Sequence, residues 1–266
     1  MLVKTKPDDQ AGLDTAISSA NIDALKSFAA ETLTYSNDMP HTLLHFVVDE
    51  QFFVTGVAFA SEYVSREVTW RIVFRSRADV ARLLAATEGA NHFGALRGLL
   101  FEEVAHDALQ RGGTFAFVRL DHSAAAAAAA AATTATISIE KNLKKVTFRT
   151  AAEFGKVVGP GTYARPTARN FAAVDAVLVP SHDTAPVLLL QMTVSTSHPI
   201  KLAALAKMRN ELPAALRARA VQFVFVVPVD VADGFKKQPF HTMDDTVAKN
   251  PPSDVSQHLL TVRLEA

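Results

Sequence analysis

Cysteine is absent from this chain of 266 residues, so no disulfide and no thiolate metal centre can form. Any bound metal must then rest on oxygen or imidazole ligands, which favours chemistry of the Mg²⁺ type. Also missing is any run approaching the roughly 20 apolar residues that span a bilayer, and the opening stretch MLVKTKPDDQAGLDTAISSAN has no apolar segment of signal-peptide length. The expectation is a soluble chain with no membrane partner and no export signal of its own. No Gly-x4-Gly-Lys-Ser/Thr phosphate loop occurs, which excludes nucleotide binding of that kind. Net charge is lacking too: Lys and Arg total 27, and so do Asp and Glu.

What is present is apolar mass and a local excess of base. Hydrophobic residues make up 49% of the chain, enough to bury a substantial core as one domain or two small ones. Between Thr136 and Ala220, twelve basic residues stand against five acidic ones. An excess of seven positive charges suits a surface that neutralises phosphates, although a solvated face reads the same way on charge alone.

The apolar pattern divides the chain. Residues 1–90 read as a mixed or mostly helical piece, with a helical start over Asp14–Thr32, apolar runs LLHFVV and QFFVTGVAFA of strand character, and helical spacing over Ser61–Thr87. Residues 91–240 form a second domain. There, GALRGLLFEEVAHDALQRGG predicts an amphipathic helix with Leu96, Leu99, Leu100, Val104 and Leu109 on one stripe, stopped by Gly112-Gly113. Strands are expected at TFAFVRL, KKVTFRT, FAAVDAVLVP and VLLLQMTVS; a helix is expected at HPIKLAALAKMRNEL with Ser197 as N-cap and Pro199 in its first turn, followed by the strand VQFVFVVPV. The alanine-rich stretch 124–136 reads as an insertion, and residues 241–266 as a C-terminal tail. This order predicts an α/β/α sandwich on a small mixed sheet.

Polar groups in apolar surroundings mark the candidate site. Asp175 falls within FAAVDAVLVP, where a carboxylate is costly unless paired, hydrogen-bonded or bound to a cation; the wet face of an edge strand is the other reading. Gln191 follows Val187–Leu190 on the next strand, and a hairpin through SHDTAP brings it beside Asp175; an ordinary half-buried strand would have the same polar face. Glu102 lies at the edge of the helical stripe, as a surface side chain also would. Lys201 comes at an expected helix start, where the peptide dipoles favour anions, so a ligand phosphate is a natural partner for it. His198 reads either as a phosphate contact or as a helix-entry residue bonded locally, and His106 either orients Glu102 or packs.

The segments Gly94–Gly113, Asn170–Pro180 and Leu189–Lys201 resemble the C-terminal nuclease-like region of Crinkler proteins: a Gly-x-Leu-x-Gly, Phe-Glu, Ala-His, Gly-Gly run, an apolar strand with Asp, then Gln-Met-Thr and His-Pro-Ile-Lys. The resemblance implies the restriction-endonuclease-like PD-(D/E)XK fold. In that superfamily a helix Glu, a strand Asp and an Asp/Glu-x-Lys on the next strand gather a divalent metal and an attacking water. Carried over, Glu102, Asp175 and Gln191 would hold Mg²⁺ or Mn²⁺, with Gln191 in the usual acidic place. Thr193 stands where the motif has Lys, and Lys201 would supply that charge from the following helix. His198, Arg165, Arg169 and Lys207 are the implied substrate contacts.

Those residues imply a Mg²⁺-dependent endonuclease acting on DNA, with Gln-x-Thr in place of Glu-x-Lys. The family also implies secretion, action in the host nucleus as a virulence effector, and an upstream NTPase module of which residues 1–90 would be the tail. The alternative is a nuclease-fold module that binds DNA or a host nuclear protein without cutting. A plain scaffold leaves Asp175 and Gln191 unexplained.

Overall fold

The structure is a computed structural model that describes residues 12–13, 15–17, 43–61, 63–64, 67–68, 80, 84, 94–120, 135–168 and 171–263. The chain divides into two compact units, Met1–Val104 with Leu264–Ala266, and Ala105–Arg263. In the first unit, the apolar runs LLHFVV and QFFVTGVAFA form an antiparallel hairpin of β1 (Leu44–Val48) and β2 (Val54–Phe59). Asp49 ties its turn by accepting the backbone N–H groups of Gln51 and Phe53 at 3.0 and 2.8 Å. Of the helix expected over residues 61–87, positions 63–64, 67–68, 80 and 84 are helical, with Val64, Val68, Val80 and Leu84 buried as their spacing requires. The remainder of that helix, most of the helical start near residue 14, and nearly all of the alanine-rich stretch lie outside the described residues.

Helix α1 (Gly94–Arg111) runs from the first unit into the second. Gly112 ends it at φ +70°, and a Cβ there would come within 2.8 Å of the Ile139 and Glu140 carbonyl oxygens, so only glycine fits this turn. The buried stripe is rotated from the expected one: Leu99 and Val104 are half-buried, while Arg97, Phe101, Ala105, His106 and Ala108 are buried with Leu100 and Leu109. Phe101 drives that rotation, since a large aromatic ring one position further round draws the apolar face toward itself.

The second unit is built on one mixed sheet of eight strands, in the order β4-β3-β12-β10-β8-β7-β6-β5. These are β3 (Gly113–Arg119), β4 (Thr136–Ile139), β5 (Lys144–Phe148), β6 (Thr162–Pro166), β7 (Ala176–Val179), β8 (Val187–Met192), β10 (Val221–Pro228) and β12 (Val255–Val262). The sheet is therefore large rather than small. Three of its strands lie outside the expected ones: β4 and β6 are short, and β12 falls in the stretch read as a tail yet pairs parallel with β10 and antiparallel with β3. Strands β6, β7 and β8 run as an antiparallel meander, and β10 returns parallel to β8 after a helical crossover.

Helices α2 (Ala151–Val157), α3 (Leu202–Glu211), α4 (Ala214–Arg217) and α5 (Val229–Ala232) contribute to the core. Phe154, Leu205, Met208 and Leu216 pack with Val177, Val179, Leu189, Phe223 and Phe225. The alternate residues Ala176, Leu178, Leu188, Leu190, Val224 and Val226 are equally buried, so the central strands are apolar on both faces. The α3 start differs from expectation. Ser197 and Pro199 lie outside any helix, and Ile200–Lys201 form a two-residue strand, β9, paired parallel with β11 (Phe240–His241), so the helix begins at Leu202 with Lys201 as N-cap.

Candidate functional site

Asp175 lies at the entry to β7 rather than in mid-strand, because Ala172–Ala173 form a turn just before it. Its backbone N–H donates to the Leu190 carbonyl at 2.9 Å, which extends the β7–β8 ladder by one residue and aligns its side chain with Gln191. The Asp175 Oδ2 accepts two hydrogen bonds, from the Gln191 side-chain amide at 2.6 Å and from the Met192 backbone N–H at 2.7 Å. Both donors converge on one oxygen, and this orients the carboxylate. An amide facing a carboxylate presents its nitrogen, which leaves the Gln191 carbonyl as an oxygen donor beside Asp175.

Beyond Gln191 the chain is held by short polar relays. Thr193 is buried, its N–H donates to the Val226 carbonyl at 3.0 Å, and its hydroxyl accepts from the Ser195 N–H at 3.0 Å. Ser195 repeats the pattern one step on, accepting from the Ser197 N–H at 3.2 Å. Thr193 is thus committed to shaping the turn.

The next anchor is a residue that sequence reasoning missed. Gln238, only 5% exposed, accepts the His198 N–H at 2.7 Å and donates to the carbonyls of Thr196 at 3.0 Å and Lys236 at 2.7 Å. Gln257, 1% exposed on β12, exchanges two 2.8 Å bonds with the Gln238 backbone. No periodicity or motif singles out either glutamine. Their amides satisfy backbone groups of two segments, 196–198 and 236–238, and fix the course of Thr196–His198.

His198 is half-buried, and its backbone bond goes to Gln238, forty residues away, rather than to a local partner. Burial first, and the neighbouring Lys201 charge second, hold its imidazole below the usual histidine pKa. It is therefore a neutral ring at pH 7.

Lys201 does not pair with Asp175 or Gln191. Its ammonium donates to Asp245 Oδ1, which also faces His241 Nδ1 at 2.9 Å. The implied substrate contacts are dispersed: Arg165 is half-buried on β6, Lys207 is exposed on α3, and Arg169 lies outside the described residues. Glu102 is half-buried on the part of α1 that groups with the first unit, while Asp175 and Gln191 belong to the second. His106, on the second unit's part of α1, is buried with Nδ1 2.7 Å from the Tyr163 hydroxyl.

Part of the basic excess is used internally. Arg209 pairs with Asp254, while Arg219, its side chain 6% exposed, holds the Pro180 and His182 carbonyls at 3.1 Å and Asp183 at 2.9 Å. Arg219 therefore secures the loop between β7 and β8. A cavity of about 500 Å³ opens beside Arg119, Gln238, Phe240, Pro252 and Gln257, away from Asp175 and Gln191.

Asp175 and Gln191 offer hard oxygen donors, the kind Mg²⁺ and Mn²⁺ take together with water and substrate phosphate. Among the described residues, no group of three or more His, Asp or Glu side chains gathers to hold a metal ion. Nor does any helix among them have the length and apolarity to cross a membrane.

No family model matches the chain, and no solved structure matches it. Crinkler effector protein 15 of Phytophthora infestans is 27% identical over 211 residues, covering 76% of this chain and 31% of that protein. The chain thus spans about a third of the length of the curated relative it matches. On this likeness it stands in a Crinkler-like relationship to that protein.

Proposed function

We propose that the chain is a Crinkler-type effector whose second unit is a metal-dependent nuclease module of the PD-(D/E)XK type, hydrolysing DNA phosphodiester bonds in the nucleus of a host cell. The observation that carries this reading is the 2.6 Å contact between Asp175 and Gln191, on adjacent strands of an apolar sheet. The superfamily motif asks for an Asp on one strand and an acidic-x-Lys on the next, and Gln191 takes the acidic position. The likeness to a Crinkler effector supports the effector part of the reading, and the nuclease part rests on the residues.

In this reading Asp175 and Gln191 bind and orient, with the Met192 N–H fixing the carboxylate. A divalent cation, when bound, lowers the pKa of a coordinated water and polarises a phosphate oxygen. Lys201 meets the phosphate and stabilises negative charge developing on it. His198, neutral at pH 7, donates or accepts a hydrogen bond without adding a fixed charge.

The test is cleavage of supercoiled plasmid DNA with Mg²⁺ or Mn²⁺ by the wild-type protein, Asp175→Asn, Lys201→Ala and Glu102→Gln. Asp175→Asn should lose at least about 100-fold in rate, in line with removal of a key charge-stabilising group. Equal cleavage by all four proteins would mark a contaminant and end the nuclease reading. Glu102→Gln asks whether the helix carboxylate serves the same reaction.

One observation favours a second reading, in which the module grips DNA or a host nuclear protein without cutting. Gln191 is an amide in the acidic position, and Lys201 already holds a carboxylate. Tight binding of labelled DNA with no cleavage under any metal would select it.

A further inference from the structure

Lys201 and His241 come from β9 and β11, paired parallel with Lys201 directly opposite His241. Both side chains converge on one oxygen, Asp245 Oδ1. An ammonium and an imidazole nitrogen focused on a single acceptor is an arrangement suited to any singly charged oxyanion, a phosphodiester included. The anion now in place is supplied by the protein itself, from the loop Thr242–Thr246.

That loop closes on itself. Thr242 N–H donates to the Thr246 carbonyl at 2.8 Å, the two threonine hydroxyls lie 2.9 Å apart, and Asp245 N–H donates to the Thr242 carbonyl at 3.2 Å. Beyond these ties, Asp245 reaches the sheet through its carboxylate alone among the bonds described. The Asp245 and Lys201 side chains are 69% and 46% exposed, so an incoming anion has access to the pair. Solvent screening keeps such an exposed ion pair weak enough to exchange.

We propose that Asp245 is an internal anion plug: it occupies a phosphate-binding place formed by Lys201 and His241, and a nucleic-acid phosphate displaces it. The function assigned to Lys201 above is the premise. The tethered carboxylate acts as a competitor at millimolar effective concentration, so an isolated phosphate binds poorly while a polyanion that engages further contacts overcomes it. The loop thereby sets a threshold for engagement rather than a permanent block.

Asp245 sits at φ +58°, a conformation that asparagine and glycine tolerate, so Asp245→Asn and Asp245→Gly remove the charge and keep the loop. Inorganic phosphate is titrated at constant ionic strength into the wild-type protein, both variants and Asp245→Asn/Lys201→Ala, following the His241 ring signals by NMR. Both single variants should respond at phosphate concentrations about three- to tenfold lower than wild type, and the added Lys201→Ala should remove the gain. No gain in either single variant, or a gain that survives loss of Lys201, overturns the plug. Plasmid cleavage by the same proteins is read separately: tighter phosphate binding with no cleavage anywhere sinks the nuclease reading and leaves the anion site standing.

Discussion

Asp175 does two separable jobs with one side chain. Its Oδ2 satisfies the Gln191 amide and the Met192 N–H, and its charge is what the proposed chemistry uses. An asparagine can turn its carbonyl oxygen to the same two donors, so Asp175→Asn should keep most of the stability while losing the charge. Asp175→Ala leaves the Met192 N–H of a buried residue without its acceptor, and should cost about 1–3 kcal/mol. Urea midpoints for the two variants check this; equal losses would mean that the contact matters by charge rather than by geometry. The Asp175–Gln191 meeting was legible in the sequence because SHDTAP is a turn between two apolar runs and strand pairing does the rest. The Lys201–Asp245 contact was not: it joins residues 44 apart through a pairing only two residues long, and no periodicity announces so short a ladder.

Among the elements, those with a single strong physical cause were the readable ones. β8 and β10 are nearly continuous apolar runs, which only an interior strand accommodates, and Gly112-Gly113 ends α1 as its sequence requires. α3 was misjudged at its start because Ser197 and Pro199 form a good helix entry in isolation, while Ile200 is drawn into the core and into pairing with Phe240. β12 was hidden by Gln257 and His258, polar side chains buried among Leu259, Leu260 and Val262. The packing of α2 against α3 depends on a glycine: a Cβ on Gly155 would lie 2.3 Å from the Glu211 carbonyl oxygen, closer than any real contact. Gly155→Ala should gain about 1 kcal/mol of helix propensity and lose more than that to the forced separation of the two helices. The net effect is destabilisation, seen as a lower melting temperature; a raised one would show that the helices part without strain.

For the second unit as a whole, β12 decides whether there is a closed structure. Val255, Leu259, Leu260 and Val262 are all buried, and at about 1.5–3 kcal/mol each their loss removes roughly 6–12 kcal/mol. That matches the entire stability of an ordinary domain, about 5–15 kcal/mol. Deleting residues 250–263 should therefore abolish cooperative unfolding by circular dichroism, and a retained sharp transition would assign the core to the other strands. The position of this strand also bears on how the unit is made. β12 sits between β10 and β3, yet it follows both in the order of synthesis. While it is still being assembled on the ribosome, β10 presents an unpaired row of valine and phenylalanine backbone groups, an edge open to any extended segment nearby. The nascent chain thus passes through an interval in which its most apolar strand is also its most adhesive, and only completion of the last strand closes it.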